Sequence, residues 1–590
     1  MNPTPSISLC MIVKNEETYL AQCFDSVKDI VDEIIVVDTG STDKTQEICE
    51  HYHVSFYSYP WEDDFSKARN YSLSFAQCDW ILILDADEMI LHSKKSDFMT
   101  LLLDTTLDAF IVTIYNYTGL LEEEEYSIHH TLRIFRNHQG FCFQGAIHEQ
   151  VVSCEHPDQA LSCEFSPIII HHYGYLAEVV DQKGKRSRNL SLLQKQYETD
   201  PGNAFVLFNF GNEYAALEQY DLALTFYQQA KQNLKDQAAF TAYLYLRMVL
   251  CYSYLGRNQE SLHLAIEAHN MFPDFTDIIY CTGLAYYHMH QYTKALSAFD
   301  QCIQMNPSPP NLTFIHGSTT FLPYQCKAMI YKQLYDLESA IECLFKAYHY
   351  QKDNSFILYE LGHLLNQCYQ NKDKVVSNLI HIVKKKDSTN LCECIDILVA
   401  EQLYTHAASI LSSLDTNNDY VFFLKGKLMF YQQDFSTAAC YFNQVLSLSS
   451  QKKQHIECLT YLFILGILVN TIELPSILNQ LKSKGNANVY QVYKNIYDMQ
   501  FHQEYSYELL MILIDFLEKL LKLQAYEQFE TYLILLDQVG CNNALLELGR
   551  LYERCGYSKL ARATYSRSLK EFNIIDMAAL DYLAGGLNNL

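Results

Sequence analysis

Hydrophobic and polar positions change rhythm along this chain. Up to about residue 90, short apolar runs alternate with amphipathic stretches. Ile7–Val13, Trp80–Leu84 and the nearly pure β-branched Ile34–Val37 read as strands, the last buried on both faces. Glu17–Lys28, a segment capped by Ser41-Thr42-Asp43 and running to about Tyr52, and Asp64–Gln77 read as helices. Alternation of this kind predicts a parallel α/β sheet, whose ligands bind beyond the carboxyl ends of the strands. Three polar clusters fall there: Lys14-Asn15-Glu16-Glu17, Asp38-Thr39-Gly40-Ser41 and Asp85-Ala86-Asp87-Glu88. Residues 91–190 read as extended segments and loops, with strands at Phe110–Tyr117, Thr131–Arg136 and Ile168–His172 and an exposed acidic loop at Glu122–Glu125.

From about residue 195 the period becomes helical and a repeat emerges. Small residues are followed by an aromatic three positions on, a small residue twelve on and an aromatic or aliphatic residue sixteen on. The units begin at Gly211, Val249, Gly283 and Ala328, which are 38, 34 and 45 residues apart. Gly362 starts a weaker unit, and Gly426 with Phe442 and Gly549 with Tyr565 match again. Residues 375–415 and 450–540 read as helical but degenerate. A 34-residue period with small residues where two helices touch resembles tetratricopeptide repeats. Each helix pair buries its apolar face only against its neighbours, so a superhelix with a concave binding face is expected. The chain thus divides into an α/β domain over 1–190, repeats over 191–370 and more degenerate helical repeats over 371–590.

Composition narrows this picture. With 590 residues, 20 Gly and 12 Pro, the chain exceeds one core and is neither disordered nor linker-rich. A net charge of −26 excludes a general nucleic-acid binder, which needs a basic face. Residues 1–190 carry 13 basic and 30 acidic residues, so a phosphate-bearing ligand there requires a divalent cation. The 19 cysteines include no Cys-x-x-Cys pair and read as buried, reduced thiols. The N-terminus does not read as a secretory signal, and no run reaches the roughly 18 apolar residues of a membrane helix. A soluble, cytoplasmic protein without stable membrane insertion is expected.

The chemistry centres on Asp85-Ala86-Asp87, after the buried run WILIL. Two carboxylates one residue apart at a strand end can hold a hard divalent metal and, through it, a diphosphate. No Gly-x-Gly-x-x-Gly follows the first strand and no Gly-x-x-x-x-Gly-Lys-Ser/Thr is present, which disfavours a dehydrogenase or P-loop nucleotidase. Diphosphate binding without those loops points to a metal-bridged nucleotide-sugar.

The segments ISLCMIVKNEE, VDEIIVVDTGSTDKT, WEDDFSKARNYSL and DWILILDADE, in this order, resemble a family 2 glycosyltransferase of the GT-A fold, over about residues 5–190. The later TLRIFRN, FQGAIHEQV, IIHHYGY and KRSRNLSLL, with repeats after them, resemble the subgroup that carries C-terminal tetratricopeptide repeats and glycosylates bacteriocin peptides or flagellin. The resemblance implies a Rossmann-like α/β domain followed by an all-α repeat superhelix. It implies nucleotide-sugar contacts from Asn15, Glu16, Asp38, Arg69, Asn70 and Asp85, with Lys185 and Arg188 clamping the diphosphate beside Asn189. Manganese or magnesium would be held by Asp87 and Asp85 with His172, or with the adjacent His171; strand alternation lets only one of the two histidines reach it. One-step inverting transfer needs a base, and Glu149, with His148 as the alternative, lies in FQGAIHEQ. The expected partners are a UDP-sugar and a polypeptide acceptor such as flagellin or a bacteriocin-like peptide. The repeats would offer a groove to that polypeptide or dimerise the enzyme. Competing expectations are transfer to a lipid-linked or surface glycan, and a repeat scaffold with an inactive first domain.

Overall fold

The computed structural model describes residues 4–572 except 118–125, 157–158, 175–184, 235–237, 306–307, 353, 384–387, 415–417, 450–451, 470–471, 485 and 501–505, and beyond them only Ile574, Asp576, Ala579 and Leu583. The acidic run Glu122–Glu125 and Tyr175 lie outside the described residues. The chain forms two compact units, Met1–Ile330 and Tyr331–Leu590.

The first unit opens with a mixed sheet. Its strands are β1 (Ile7–Val13), β2 (Glu33–Asp38), β3 (Ser55–Ser58), β4 (Trp80–Ile83), β5 (Glu88–Met89), β6 (Ala109–Tyr117), β7 (Tyr126–Arg136) and β10 (Cys163–His172), in the order β3-β2-β1-β4-β7-β6-β10-β5. β8 (Phe141–Gln144) and β9 (Gln150–Ser153) form a separate hairpin. β1 pairs parallel with β2 and β4, while β7 runs antiparallel to both β4 and β6. The β-branched run of β2 is buried on both faces, as its composition requires. Helices α1 (Leu20–Val27), α2 (Thr45–His51), α3 (Phe65–Leu73) and α4 (Lys95–Leu102) flank the sheet. Leu9, Leu82, Phe24 and Phe98 anchor the core of one face, and Ile35, Ile81, Phe135 and Phe143 that of the other.

Register sets the site. Val13 pairs with Asp38, which brings the turn after β1 beside the turn after β2. His172 pairs with Glu88 on one side and Asn116 on the other, which brings the end of β10 to the acidic turn after β4.

Several local expectations change. The helices are shorter than their periodic stretches, and Lys44, not the Ser41-Thr42-Asp43 triplet, precedes α2. The Ser41 hydroxyl donates to Asp38, while Asp43 still serves the start of α2, accepting from the Thr45 N–H as well as from the Glu17 N–H. The edge strand β3 and the β8–β9 hairpin carry apolar runs of only two or three residues, too short to announce a strand. Seventeen cysteines are free, but Cys142 and Cys154 pair as a disulfide across the open end of that hairpin, and Cys163 and Cys440 are exposed. The reading of all cysteines as buried, reduced thiols is corrected at these positions, and Cys78, Cys368, Cys541 and Cys555 are only half-buried.

Helices α5 (Lys185–Thr199), α6 (Ala204–Ala216), α7 (Tyr220–Gln232), α8 (Thr241–Tyr254), α9 (Asn258–Met271), α10 (Thr276–His288), α11 (Tyr292–Gln304) and α12 (Phe321–Gln333) follow. The repeat spacing has a direct cause. A Cβ on Gly283 would come within 2.6 Å of the Phe299 ring sixteen residues on, and one on Gly211 would strike the ring of Tyr227. The long 45-residue step from Gly283 to Ala328 contains an inserted strap over residues 308–320. Its backbone bonds to β7: Ile128 N–H donates to Phe314 O at 3.1 Å, and the His130 Nε2 lies 2.9 Å from Thr313 O. Asp277 of α10 receives the Phe314 and Ile315 N–H groups and the Ser318 hydroxyl.

Every described secondary-structure element of the second unit is a helix, from Leu337–Tyr350 to Ser558–Phe572, including the stretches where the repeat is degenerate. Its core gathers Phe423, Phe442, Tyr461, Phe463, Tyr493 and Phe516. Gly426 lies under Phe442 and Gly549 under Tyr565, again sixteen residues apart. The apolar stretch from Tyr461 to Gly466 is buried inside one helix. Among the described residues, no helix is long and apolar enough to cross a membrane.

Candidate active site

The turns after β1 and β2 interlock. Asn15 adopts a left-handed backbone (φ 55°), and its N–H donates to the Ser41 hydroxyl at 2.9 Å. Its amide oxygen accepts from Thr42 N–H at 2.8 Å. Glu16 N–H donates to the Thr45 hydroxyl. The Asp38 carboxylate accepts from the N–H groups of Gly40 and Ser41, each at 3.1 Å. Asn15 and Asp38 therefore shape one another's loops at the edge of the sheet.

Behind these turns lies a buried ionic chain. Arg69, projecting from α3, donates from Nε to Glu149 and from Nη2 to Asp85 Oδ1 at 2.8 Å. Arg133, from β7, reaches Asp85 Oδ2 at 3.3 Å and Glu88 Oε1 at 2.7 Å. Burial opposes the charge of Asp85, but the two guanidiniums outweigh it and hold its carboxyl well below the usual carboxylate range. Burial wins at Glu88, whose pKa is raised despite Arg133. Arg69 Nη1 and Arg133 Nε are buried and without a hydrogen-bond partner among the described residues. Unmet donors of this kind, costly to bury, suit an anionic or hydroxyl-rich ligand. Asn70, next to Arg69, turns away: its amide donates to Phe143 O and accepts from Phe143 N–H, fixing the start of the hairpin to α3.

Asp87 and His172 face each other, with His172 Nε2 3.4 Å from Asp87 Oδ1. The other imidazole nitrogen, Nδ1, sits 2.7 Å from Asn116 Oδ1, which orients the ring. A Cβ on Gly174 would fall 2.6 Å from His172 Nε2 and strike Asp87 Oδ2, so only glycine leaves this pair open. His171 projects to the opposite side, where Nδ1 lies 2.9 Å from the Tyr117 hydroxyl. The two histidines separate as strand alternation requires. Asp87 and His172 form a two-residue oxygen and nitrogen donor set suited to a divalent cation that takes its remaining ligands from a substrate's phosphates. Asp85, committed to two arginines, borders this pair. Among the described residues, no group of three or more His, Cys, Asp or Glu converges on a single metal position.

The turn between β8 and β9 reaches toward the helices. His148 has a left-handed backbone (φ 53°), and the neighbouring Ile147 is buried against Leu192, Leu193, Val206 and Phe210. His148 Nε2 lies 3.9 Å from Glu213 Oε1 of α6. Burial lowers the His148 pKa against the pull of Glu213 and Glu149, so the ring is neutral near pH 7. Arg188 rests its guanidinium over the Phe65 ring at 5.1 Å. The Lys185 side chain lies outside the described residues.

The structure therefore brings Arg69, Asp85, Asp87, Glu149 and His172 to one edge, with Asn15, Glu16 and Asp38 in the adjoining turns. It adds Glu88, Asn116, Arg133, Gly174 and Glu213. Arg133 had one signal, a cation between the apolar Leu132 and Ile134 of a strand. Glu213 had none, because it falls inside a repeat helix.

Residues 8–155 match the family model for glycosyl transferase family 2. The prophage-derived glycosyltransferase SunS of Bacillus subtilis is 33% identical over 269 residues, 43% of this chain and 60% of that protein. A TPR repeat-containing protein of Synechococcus elongatus is 32% identical over 269 residues, 45% of this chain and 64% of its own length. The chain thus spans about 60% of the length of these curated relatives. Among solved structures, a tetratricopeptide repeat protein from Parabacteroides merdae is similar at 16% identity over 44% of this chain and 98% of its own, with a TM-score of 0.25.

Proposed function

Proceeding from the family 2 glycosyltransferase match of residues 8–155, we propose that this protein is an inverting, metal-dependent glycosyltransferase that moves a sugar from a UDP-sugar to a Ser, Thr or Cys side chain of a polypeptide. The observation that carries this reading is the pairing of Asp87 with His172 over Gly174, directly beside an Asp85 held ionised by two arginines. A divalent cation, manganese or magnesium, at Asp87 and His172 would neutralise charge on the donor diphosphate. Asn15, Glu16 and Asp38 shape the pocket for uracil and ribose. Arg69 and Arg133 fix Asp85 toward the ribose and offer their unmet N–H groups to the donor. Lys185 and Arg188 stabilise the departing diphosphate.

The acceptor's O–H or S–H proton passes to a base as its lone pair attacks the anomeric carbon. The bond from that carbon to the diphosphate breaks, and its electrons leave with UDP. The Glu149 carboxylate is engaged by Arg69, which favours His148 of the two candidate bases. A Cys acceptor, whose thiol ionises more readily than an alcohol, leans less on that base. The repeats present the polypeptide, a flagellin or a bacteriocin-like peptide.

The test is intact-protein mass spectrometry of those polypeptides after incubation with the enzyme, manganese and UDP-glucose or UDP-N-acetylglucosamine. A hexose or N-acetylhexosamine increment that disappears with Asp87→Ala is the expected result. Donor hydrolysis without an increment moves the acceptor to a lipid-linked or surface glycan. Neither hydrolysis nor transfer with any donor leaves the scaffold reading.

A further inference from the structure

The repeats do more than follow the sheet: one of their side chains comes to the edge of the candidate site. Glu213 stands in α6, the first helix of the first repeat, and is 3% exposed. Asn189 Nδ2 donates to its Oε1 at 2.8 Å and Arg186 Nη1 to its Oε2 at 3.1 Å. A carboxylate buried this deeply needs such partners to satisfy its oxygens. Its Oε1 also faces His148 Nε2 at 3.9 Å, within ion-pair range but beyond hydrogen-bond length. That imidazole nitrogen is buried and has no hydrogen-bond partner among the described residues. The His148 backbone is fixed from both sides. Phe65 N–H donates to Ala146 O, Glu149 is tied to Arg69, and Ile147 is packed among Leu192, Leu193, Val206 and Phe210. His148 is thus a ring on a left-handed turn, with one nitrogen aimed at a buried carboxylate supplied by the repeats.

We propose that Glu213 is a positioning residue for His148, so that the first repeat completes the transferase centre; this rests on the transferase reading above. A carboxylate on the Nε2 side favours the tautomer with its proton at Nε2 and leaves Nδ1 to take the acceptor's proton. It also stabilises the imidazolium that forms as the sugar transfers, the relation between an aspartate and a histidine base in acyl-transfer enzymes. The 3.9 Å separation closes when the ring becomes charged, because a charge-assisted bond is shorter and stronger than a neutral one. The role accounts for a charged residue in a helix whose repeat pattern calls only for small and aromatic positions. It also assigns the first repeat a part in chemistry, separate from any groove the later repeats offer.

The experiment uses the full chain with Glu213→Gln, which keeps the side chain's size and its acceptor for Asn189, and with Glu213→Asp as the conservative variant. The first readout needs no turnover. Carbethoxylation of His148 by diethyl pyrocarbonate is followed against pH by peptide mass spectrometry. Loss of the carboxylate shifts the His148 midpoint downward in Glu213→Gln, and Glu213→Asp restores most of the shift. An unmoved midpoint overturns the proposal. The second readout is turnover of UDP-glucose or UDP-N-acetylglucosamine with manganese. The expected result is a 10- to 100-fold loss of kcat in Glu213→Gln, with the donor KM within about twofold of wild type. His148→Ala/Glu213→Gln should be no slower than His148→Ala alone, because a residue that acts through another has no effect once that residue is gone. Additive losses, or a rise in donor KM with kcat retained, overturn the proposal. A wild-type protein that turns over no donor counts against the transferase reading, while the His148 midpoint still decides the pairing.

Discussion

At the carboxyl edge of the sheet, Arg69 and Arg133 are ringed by three carboxylates, Asp85, Glu88 and Glu149. In the repeats, Gly211, Gly283, Gly426 and Gly549 each lie under one aromatic ring sixteen residues on. The first region is specified by charge: two arginines and three carboxylates, buried or half-buried, are held chiefly by one another. The second is specified by size: its contacts are apolar and its glycines leave room for rings. Charges can be exchanged for isosteric neutral groups without altering volume, and volumes can be altered without touching charge. Each region should therefore fail under a substitution the other tolerates.

The strongest way to break that contrast is Arg69→Met. It keeps much of the side chain's volume but leaves Asp85 with Arg133 alone and Glu149 without its guanidinium. Breaking a buried pair by removing one partner costs about 3–5 kcal/mol. Both tryptophans, Trp61 and Trp80, lie in the first unit, so their fluorescence in a urea titration reports on that unit. A concurrent Asp85→Asn/Glu149→Gln change should recover most of the lost stability, though not the turnover of the proposed UDP-sugar donor. A loss below about 1 kcal/mol for Arg69→Met would mean that the ionic chain contributes little to folding.

How much of this was legible follows from the same contrast. The strands β1, β2 and β4 and the three polar turns after them were visible because buried parallel strands are apolar runs with sharp ends. The pairing of His172 rather than His171 with Asp87 was constrained by the period of a strand. What stayed hidden was polar and long-range. Asp38 and Asn70 carry the residue types of ligand contacts, and no local pattern showed that their side chains also hold Ser41 and Phe143 backbone groups. No local pattern brings Arg133, 48 residues on, to Asp85, or Glu213 to His148. In the helices, the glycine-to-ring spacing was readable because it repeats. The strap at 308–320 showed only as a step too long by one short segment, and its pairing with β7 left no mark.

That strap tests whether charge also matters within the repeats. Asp277 is 1% exposed, and burial raises its pKa from 3.8 to about 6, above the opposing effect of Ser318, Phe314 and Ile315. A raised folded value means that the folded state holds the proton more tightly. The stabilisation is full below about pH 4 and is lost as pH rises through about 6. The shift corresponds to on the order of 3 kcal/mol. Asp277→Asn cannot titrate, so the stability difference between wild type and variant should change by that order between pH 4 and pH 7, in favour of wild type at low pH. A difference that is flat with pH would show the Asp277 carboxyl to be ionised throughout and held by its three donors.

Glycine-to-alanine changes are the gentlest test and the most specific to the size-coded region. Adding a Cβ at Gly211 drives it into the Tyr227 ring, which is fully buried against Phe208 and cannot retreat. Overpacking of this kind costs about 1–3 kcal/mol. The helix itself gains up to about 1 kcal/mol from alanine, so the net loss lies near the lower end. Trp61 packs in the same cluster as Val206 and Phe210, on the helix that carries Gly211, so its fluorescence should register the change. Gly426→Ala, under Phe442, should give a comparable loss in the second unit, read there by hydrogen exchange of the helix Asp419–Tyr431. Turnover of the proposed UDP-sugar donor should stay within about twofold in Gly426→Ala, because its contacts are steric and internal to the second unit. Pairing Gly211→Ala with Tyr227→Leu separates size from sequence: if ring volume is the constraint, the second change relieves the clash and the double variant is no less stable than Tyr227→Leu alone. If the double variant instead loses the full sum of both effects, the glycines serve backbone conformation rather than space, and the size-coded account of the repeats fails.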